Sequence, residues 1–333
     1  MAVKLIDDKD IWDKFIDESP YGTIFHKWEF LSIVEKYSGY KLRRYGIYRG
    51  EELVCLYPIF IREFLGLRMV FSPPPNMAIP HMGFVMSATY DRLKQRRKES
   101  YVNDVMDEME QELKGIRANF ISISTVSGFL DMRPLKWNNY NVQMYYTYII
   151  DLMQPLEKIW DNFDNDLRRE IRKTSDLGLS IRETSDIDEF YRIMKDRYRQ
   201  QGLNLPIVSK EYLKDIIAAF PDNVKANFLY KDDKVVDLVA YYQYKKRFVF
   251  WIGWVNLDKN MHSNEYMSWE YAKMKKAEGL EKLEIQGANV KRLCFFKSKF
   301  NGALEYDFTI TKKDILGSIA EGTYRRFIKR RWI

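Results

Sequence analysis

The chain has 333 residues, enough for two domains of ordinary size, and its 46% hydrophobic and 30% charged residues suit folded cores rather than a disordered chain. Its net charge of +7 is a mild basic excess, suited to phosphorylated substrates, an anionic membrane surface or nucleic acid without choosing among them. Two cysteines, Cys55 and Cys294, lie in apolar runs and read as reduced core thiols of a cytoplasmic protein, and three histidines far apart argue against zinc. No stretch approaches about 18 consecutive apolar residues, and residues 1–20, with Asp7, Asp8, Asp10, Asp13 and Asp17, do not read as a signal peptide.

Taken in order, Asp10–Glu18 predicts a short amphipathic helix and Phe25–Tyr37 a second, with Trp28, Leu31 and Val34 on one stripe. Tyr40–Tyr48, Glu52–Ile61 and Leu67–Phe71 read as strands joined at Arg49-Gly50 and Leu65-Gly66. Ser72–Gly83 (SPPPNMAIPHMG) is a loop, because consecutive prolines cannot join a sheet interior. It serves as a connection or as a rigid wall of a groove, and its His81 reads as a solvated side chain or a polar contact. Asp91–Lys114 is a charged helix, followed by strands at Phe120–Ser124 and Asn141–Asp151.

The middle is helical: Leu156–Phe163, Asp166–Leu177, Asp188–Gln201 and Lys210–Phe220. A strand at 224–230 leads into a hairpin, Val235–Tyr244 and Phe248–Val255, turned by Lys245-Lys246-Arg247. Ser263 is a good N-cap for a helix with Met267, Tyr271 and Met274 on one face, closed at Gly279. Leu283–Ile285 and 304–311 read as strands, with the aromatic segment Phe295–Phe300 between them. The order of strands, helix and strands recurs in both halves, which predicts an α/β (α+β) protein of two similar halves, each a mixed sheet flanked by helices. The expected division is 1–150, then 151–314 with a helical insertion at 155–220, then a basic tail helix at 315–333.

Several motifs carry a resemblance: the 235–255 hairpin, the helix SNEYMSWEYAKMKKAEGL, the turn Ile285-Gln286-Gly287 and Phe296-Lys297-Ser298-Lys299-Phe300. With RREIRKTSDLG at 168–178 and YGTIFHKWEFL at 21–31, they resemble the Fem aminoacyltransferases. They are equally similar to the polysaccharide-biosynthesis acetyltransferases of the GNAT superfamily. The resemblance covers most of 15–312 and implies two GNAT-like halves. It implies an N-acyltransferase that joins an aminoacyl or acetyl group to an amine of a cell-envelope or polysaccharide precursor. No bound cofactor is implied; the donor co-substrate is aminoacyl-tRNA or acyl-CoA.

Such a reaction needs a held donor, an aimed amine, a proton acceptor and a stabilised oxyanion, and no nucleophile. The chain agrees, with no G-x-S-x-G, Cys–His setting or Walker loop. Lys297 reads from its neighbours as a snorkelling surface lysine or a partly desolvated charge; the resemblance places it at the transfer site. Arg169, Arg172 and Lys173 form either a solvated helix face or a phosphate grip, and the resemblance sets them near the substrate's diphosphate. Asp237 interrupts an apolar strand and must be partnered or face a cleft, where it would accept a proton or anchor the amine. Tyr242, Trp254, Ser263, Tyr266 and Phe296 are candidates to line the cleft, the aromatic ones equally core residues.

The loop Val255–Ser263 (VNLDKNMHS) lacks the R/Q-x-x-G-x-G/A pattern that holds the pyrophosphate of acetyl-CoA, which moves weight toward aminoacyl-tRNA or another donor. The tail 320–333 sets Arg325, Arg326, Lys329, Arg330 and Arg331 against Glu321 alone among aromatic and aliphatic residues. That make-up suits either a helix resting on an anionic membrane, and so a cytoplasmic protein peripheral at the inner face, or a helix docked on the body with its bases in water. The alternative from another class is a non-catalytic GNAT-like module that binds anionic glycans or nucleic acid.

Overall fold

The computed structural model describes residues 1–129, 131–258 and 260–327, with side chains to Gly322. The chain opens with strand β1 (Ala2–Leu5) and helices α1 (Lys9–Glu18) and α2 (Trp28–Ser38). Strands β2 (Lys41–Arg49), β3 (Glu52–Phe64), β4 (Leu67–Ser72) and β5 (Val85–Met86) follow. Next come α3 (Ala88–Asp91), α4 (Gln95–Ile116), β6 (Phe120–Ser124), α5 (Arg133–Trp137) and β7 (Asn141–Asp151). The middle holds α6 (Leu156–Asn162), α7 (Asn165–Ser175), β8 (Ser180–Glu183), α8 (Ile187–Gln200) and α9 (Lys210–Ala219). Strands β9 (Val224–Lys231), β10 (Lys234–Tyr244) and β11 (Arg247–Gly253) lead to α10 (Ser263–Ala277) and β12 (Lys282–Ile285). Helix α11 (Lys291–Lys297), strand β13 (Ala303–Lys313) and helix α12 (Ile315–Phe327) complete the described chain.

The chain divides into two compact units, Met1–Tyr145 with Tyr306–Ile333, and Tyr146–Glu305. In the first, β1, β2, β3 and β4 pair antiparallel in that order, β4 pairs parallel with β6, and β6 pairs antiparallel with β13. In the second, β8, β9, β10 and β11 pair antiparallel, β11 pairs parallel with β12, and β12 pairs antiparallel with β7. The two patterns are the same: three antiparallel pairs, one parallel pair whose crossover contains a long helix, and one antiparallel pair. This is the recurrence that the order of predicted elements suggests, carried by topology rather than by repeated sequence. The first unit takes its last strand from the far end of the chain, since β13 returns to β6 and 306–327 lies with that unit, whereas the second takes its last strand, β7, from the start of its own run.

The second unit's core explains its helices. Met267, Tyr271 and Ala272 of α10 are buried with Leu283 and Ile285 of β12, and Tyr271 stacks on Phe248 at 5.3 Å. Met274, at the margin of that face, is 44% exposed, while Lys275 is buried instead. Its ammonium lies 4.7 Å from the Tyr241 ring centre and 2.9 Å from Glu278, so its charge is met by a ring and a carboxylate.

Three local expectations change. His81 is buried, 5.8 Å from the ring of Phe25 and 4.0 Å from an Asp307 oxygen, because the Ser72–Gly83 loop packs its Met77 and Met82 inward. The Phe295–Phe300 segment is helix α11 with a 3-10 turn. The helical stretch 155–220 contains the strand β8, whose four residues are too few for periodicity to register.

Candidate active site

The site lies in the second unit, where β11 and β12 part. They pair only through Arg247↔Lys282, Phe248↔Leu283 and Val249↔Glu284, after which β11 runs on to Gly253 without β12 beside it. Diverging carboxyl ends of parallel strands are where open α/β sheets hold ligands. Trp254 follows β11, Gln286 and Gly287 follow β12, and α10 starts within the connection between the two strands.

Backbone geometry fixes these ends. Gly253 has φ 109°, and a Cβ there would meet the Leu238 carbonyl oxygen at 2.6 Å, so only glycine lets β11 turn this close to β10. Gly287 has φ 99°, and its missing Cβ leaves room for the Lys297 ammonium, which such an atom would meet at 2.8 Å. Lys297 closes α11 and donates to the backbone oxygen of Gln286. Its Nζ lies 5.6 Å from the centre of the Trp254 ring. Phe296 packs edge-on to Trp254 at 6.2 Å and to Phe300 at 5.7 Å, so the rings hold the segment and thin the water around the charge. Burial pulls the ammonium's pKa down to about 8, and no carboxylate lies within ion-pair distance of it among the described residues.

The neighbourhood is rich in unused donors. The Trp254 indole N–H and the Gln286 side-chain amide N–H group are buried and meet no protein acceptor. Lys297 spends one of its three N–H bonds on Gln286. Buried donors without partners are costly, and these two flank the Lys297 ammonium in the chain segments that follow β11 and β12.

Asp237 has a different part from the one expected. It is fully enclosed on β10, beside a register shift between Val235 and Asp237. Its Oδ1 accepts from the backbone N–H of Leu238 at 2.7 Å, Val255 at 2.9 Å and Asn256 at 3.0 Å. Its Oδ2 accepts from the Ser263 hydroxyl at 2.5 Å. Burial raises the carboxyl to about 6 against these four donors. With no open face it neither anchors an amine nor reaches a reacting proton; it ties the Val255–Ser263 loop and the start of α10 to the sheet. Ser263 is committed to that tie and buried, and the N-cap position falls to His262.

Tyr242 also moves inward: it is buried, edge-on to Trp251 at 6.4 Å, and its hydroxyl is raised well above 10 by burial. Tyr266 is half-buried against the unit's core on the first turn of α10, while Trp254 follows β11 and carries Phe296 against its ring. Helix α7 buries Leu167, Ile171 and Thr174 and turns Arg169, Arg172 and Lys173 to solvent. Arg169 pairs with Asp166 at 2.8 Å, and the Arg172 guanidinium lies 5.4 Å from the ring centre of Trp160.

One group was not legible as a group in the sequence. Glu170 of α7, His262 and Glu265 of α10 bring one ligand atom each within 4.8 Å of one another. His262 Nδ1 is 3.3 Å from Glu265 Oε1 and 3.9 Å from Glu170 Oε2. Lys299, two residues past Lys297, reaches Glu170 at 3.2 Å. The lysine supplies the positive charge that a bound metal ion would otherwise bring, so the set fits an imidazole held by carboxylates better than a metal centre. Burial raises the Glu265 carboxyl, and the His262 side chain is 45% exposed.

Residues 161–291 match the family model for the acetyltransferase (GNAT) domain. The second unit carries a GNAT acetyltransferase domain. It is the domain of an acyltransferase, and both units have the same strand pattern. Solved structures agree on the fold. A crystal structure of FemX is similar over 92% of this chain and 97% of that chain, at 13% identity and a TM-score of 0.70. L-PGS from Bacillus licheniformis is similar over 96% and 97%, at 11% identity and a TM-score of 0.58. A tandem GNAT protein from the clavulanic acid biosynthesis pathway is similar over 94% and 98%, at 9% identity and a TM-score of 0.53. No curated protein matches the chain.

Proposed function

We propose that the protein transfers an aminoacyl or acetyl group from aminoacyl-tRNA or acyl-CoA to an amine of a cell-envelope or polysaccharide precursor. The observation that carries this reading is the set of unpartnered N–H donors around Lys297 where β11 and β12 part. In the reaction the neutral amine attacks the donor's carbonyl carbon. As the C–N bond forms, the carbonyl electron pair moves to oxygen, and Lys297 with its neighbouring donors meets that charge. The oxyanion collapses, the bond to the leaving thiolate or ribose oxygen breaks, and the amine's surplus proton is taken up. FemX and L-PGS share the fold, which supports an envelope acceptor without naming it.

His262 is the group we assign to the proton. The carboxylates at Nδ1 fix a hydrogen there and leave the Nε2 lone pair free, and the Asp237 tie holds its loop still. Replacing His262 with Gln is expected to lower kcat by about 10²-fold with little change in acceptor KM or melting temperature. Added imidazole should restore part of the rate, since the site opens to solvent; a variant as active as the parent removes the role.

The exposed bases of α7 are proposed to grip an anionic part of the acceptor. The double change Arg169→Gln and Arg172→Gln should raise acceptor KM far more than it lowers kcat, without moving the melting temperature, because exposed pairs contribute about 0–1 kcal/mol. An unchanged KM would make them ordinary surface charges. The reading as a whole is tested by offering acetyl-CoA and a pool of aminoacyl-tRNAs in parallel to extracted envelope precursors. Donor-dependent mass gain on an acceptor is the expected result. Binding of precursors without mass gain from either donor would indicate a binding module instead.

A further inference from the structure

Helix α12 wears its apolar side outward. Ile315 is 80% exposed, Leu316 57% and Ile319 62%. At 3.6 residues per turn these three fall within roughly 100° of the helix circumference. Gly317, on the other side, rests against the backbone oxygen of Asn119, where any Cβ would collide. The docking is firm: Asp314 caps the helix by accepting from the Gly317 N–H at 2.8 Å and from the Asn119 amide at 2.8 Å, and Lys313 pairs with Glu321 at 2.5 Å. A helix that buries its glycine and shows its aliphatic residues reverses the usual order of a surface helix.

At the foot of this helix lies a cavity of about 270 Å³, lined by Lys114, Arg117, Lys312 and Lys313 with Glu110 and Asp314. Glu110 is buried and engaged by Lys312 and by the Tyr140 hydroxyl at 2.7 Å. Arg117 is exposed and has no ion-pair partner among the described residues. The sequence then adds Arg325, Arg326, Lys329, Arg330 and Arg331, whose side chains lie outside the described residues. Among the described residues, then, Arg117 with Lys114, Lys312 and Lys313, which pair with Glu110 or Glu321, gathers at the foot of an exposed aliphatic stripe.

We propose that α12 and the cationic cavity at its foot form a docking surface for an anionic lipid bilayer. The aliphatic stripe enters the level just beneath the headgroups, and the basic side chains of the cavity meet lipid phosphates. Charge complementarity selects this occupant. The described residues contain no helix long and apolar enough to cross a membrane, so the contact is one of surface docking.

The test is sedimentation of the full chain with vesicles of phosphatidylglycerol mixed with phosphatidylcholine, and with phosphatidylcholine alone. Binding to the mixed vesicles only, weakened by salt, is expected. The triple change Ile315→Ser, Leu316→Ser, Ile319→Ser should weaken binding about tenfold or more. Lys114→Ala with Arg117→Ala should weaken it about fivefold per base removed. All five side chains are exposed to solvent, so melting temperatures should hold. Undiminished binding by the triple variant, or equal binding to phosphatidylcholine alone, overturns the proposal. So does a dimer in solution that the serine changes dissolve while no vesicle binding is seen, which would make the occupant a second copy of the chain.

Discussion

Lys297→Met is expected to lower turnover by about 10²–10³-fold and leave the fold intact. Losing one preorganised donor to a developing oxyanion typically costs that much, and this ammonium is held by Gln286, Trp254 and the space above Gly287. Methionine keeps most of the stem against Phe296 and Trp254 and removes only the charge. The linkage runs in the same direction. Burial lowers the ammonium from its ordinary 10.5 to about 8, so the folded protein holds this proton less tightly than the unfolded chain does. The charge therefore costs stability below about pH 8, and the cost fades as pH rises toward 10.5. At neutral pH the methionine variant should melt no lower than the parent. The parent's rate should fall as pH climbs through about 8 and the ammonium is lost, and that limb should be missing from the variant's residual rate. Turnover and melting measured on the same samples check both; near-parental turnover would make Lys297 a packing residue.

Asp237→Ala is expected to be the most damaging single change to stability in the second unit, on the order of 3–5 kcal/mol. Removing one side of a buried, fully hydrogen-bonded charge costs that much because its partners stay behind. Here three backbone N–H groups and the Ser263 hydroxyl would be stranded. The loop from Val255 to Ser263 would lose its tie, so activity should fall with the melting temperature. The pH dependence has a definite sign. The carboxyl is raised to about 6 from its ordinary 3.8, so the folded state favours the protonated form more than the unfolded chain does. This group's contribution is full below about pH 4 and declines as pH rises through about 6. That downward slope should be present in the melting profile of the parent and absent from Asp237→Asn. A variant that melts with the parent would mean that the loop is held by other contacts.

Much of the architecture was legible because it rests on local patterns. Short aromatic and β-branched runs separated by turn residues mark β9 to β11, and an amphipathic stripe marks α10. Lys297 and Trp254 were legible as candidates because the Phe-Lys-x-x-Phe segment and the hairpin end carry the resemblance. Asp237 was visible as an anomaly, a carboxylate in an apolar strand. Its partners were not visible, because three of the four are donors brought back by a loop some twenty residues on. Sequence spacing offers no measure of such closure. The same holds for Glu170, which joins the i,i+3 pair His262 and Glu265 only because α7 packs across α10. Tyr242 illustrates the converse: an aromatic residue in a strand next to a cleft has two faces to choose from, and the core took this one.

In the proposed reaction the acceptor amine attacks the donor directly, with no acyl group parked on the protein. The measurement that meets it head-on is the intact mass of the enzyme, quenched during turnover with whichever donor supports transfer. Direct attack leaves the enzyme at its unmodified mass at every time point while the acceptor gains the acyl group. A transient protein species heavier by one acyl group would contradict it. The place to look for that adduct is Cys294, a half-buried thiol on α11, three residues before Lys297, that lines a cavity of about 460 Å³.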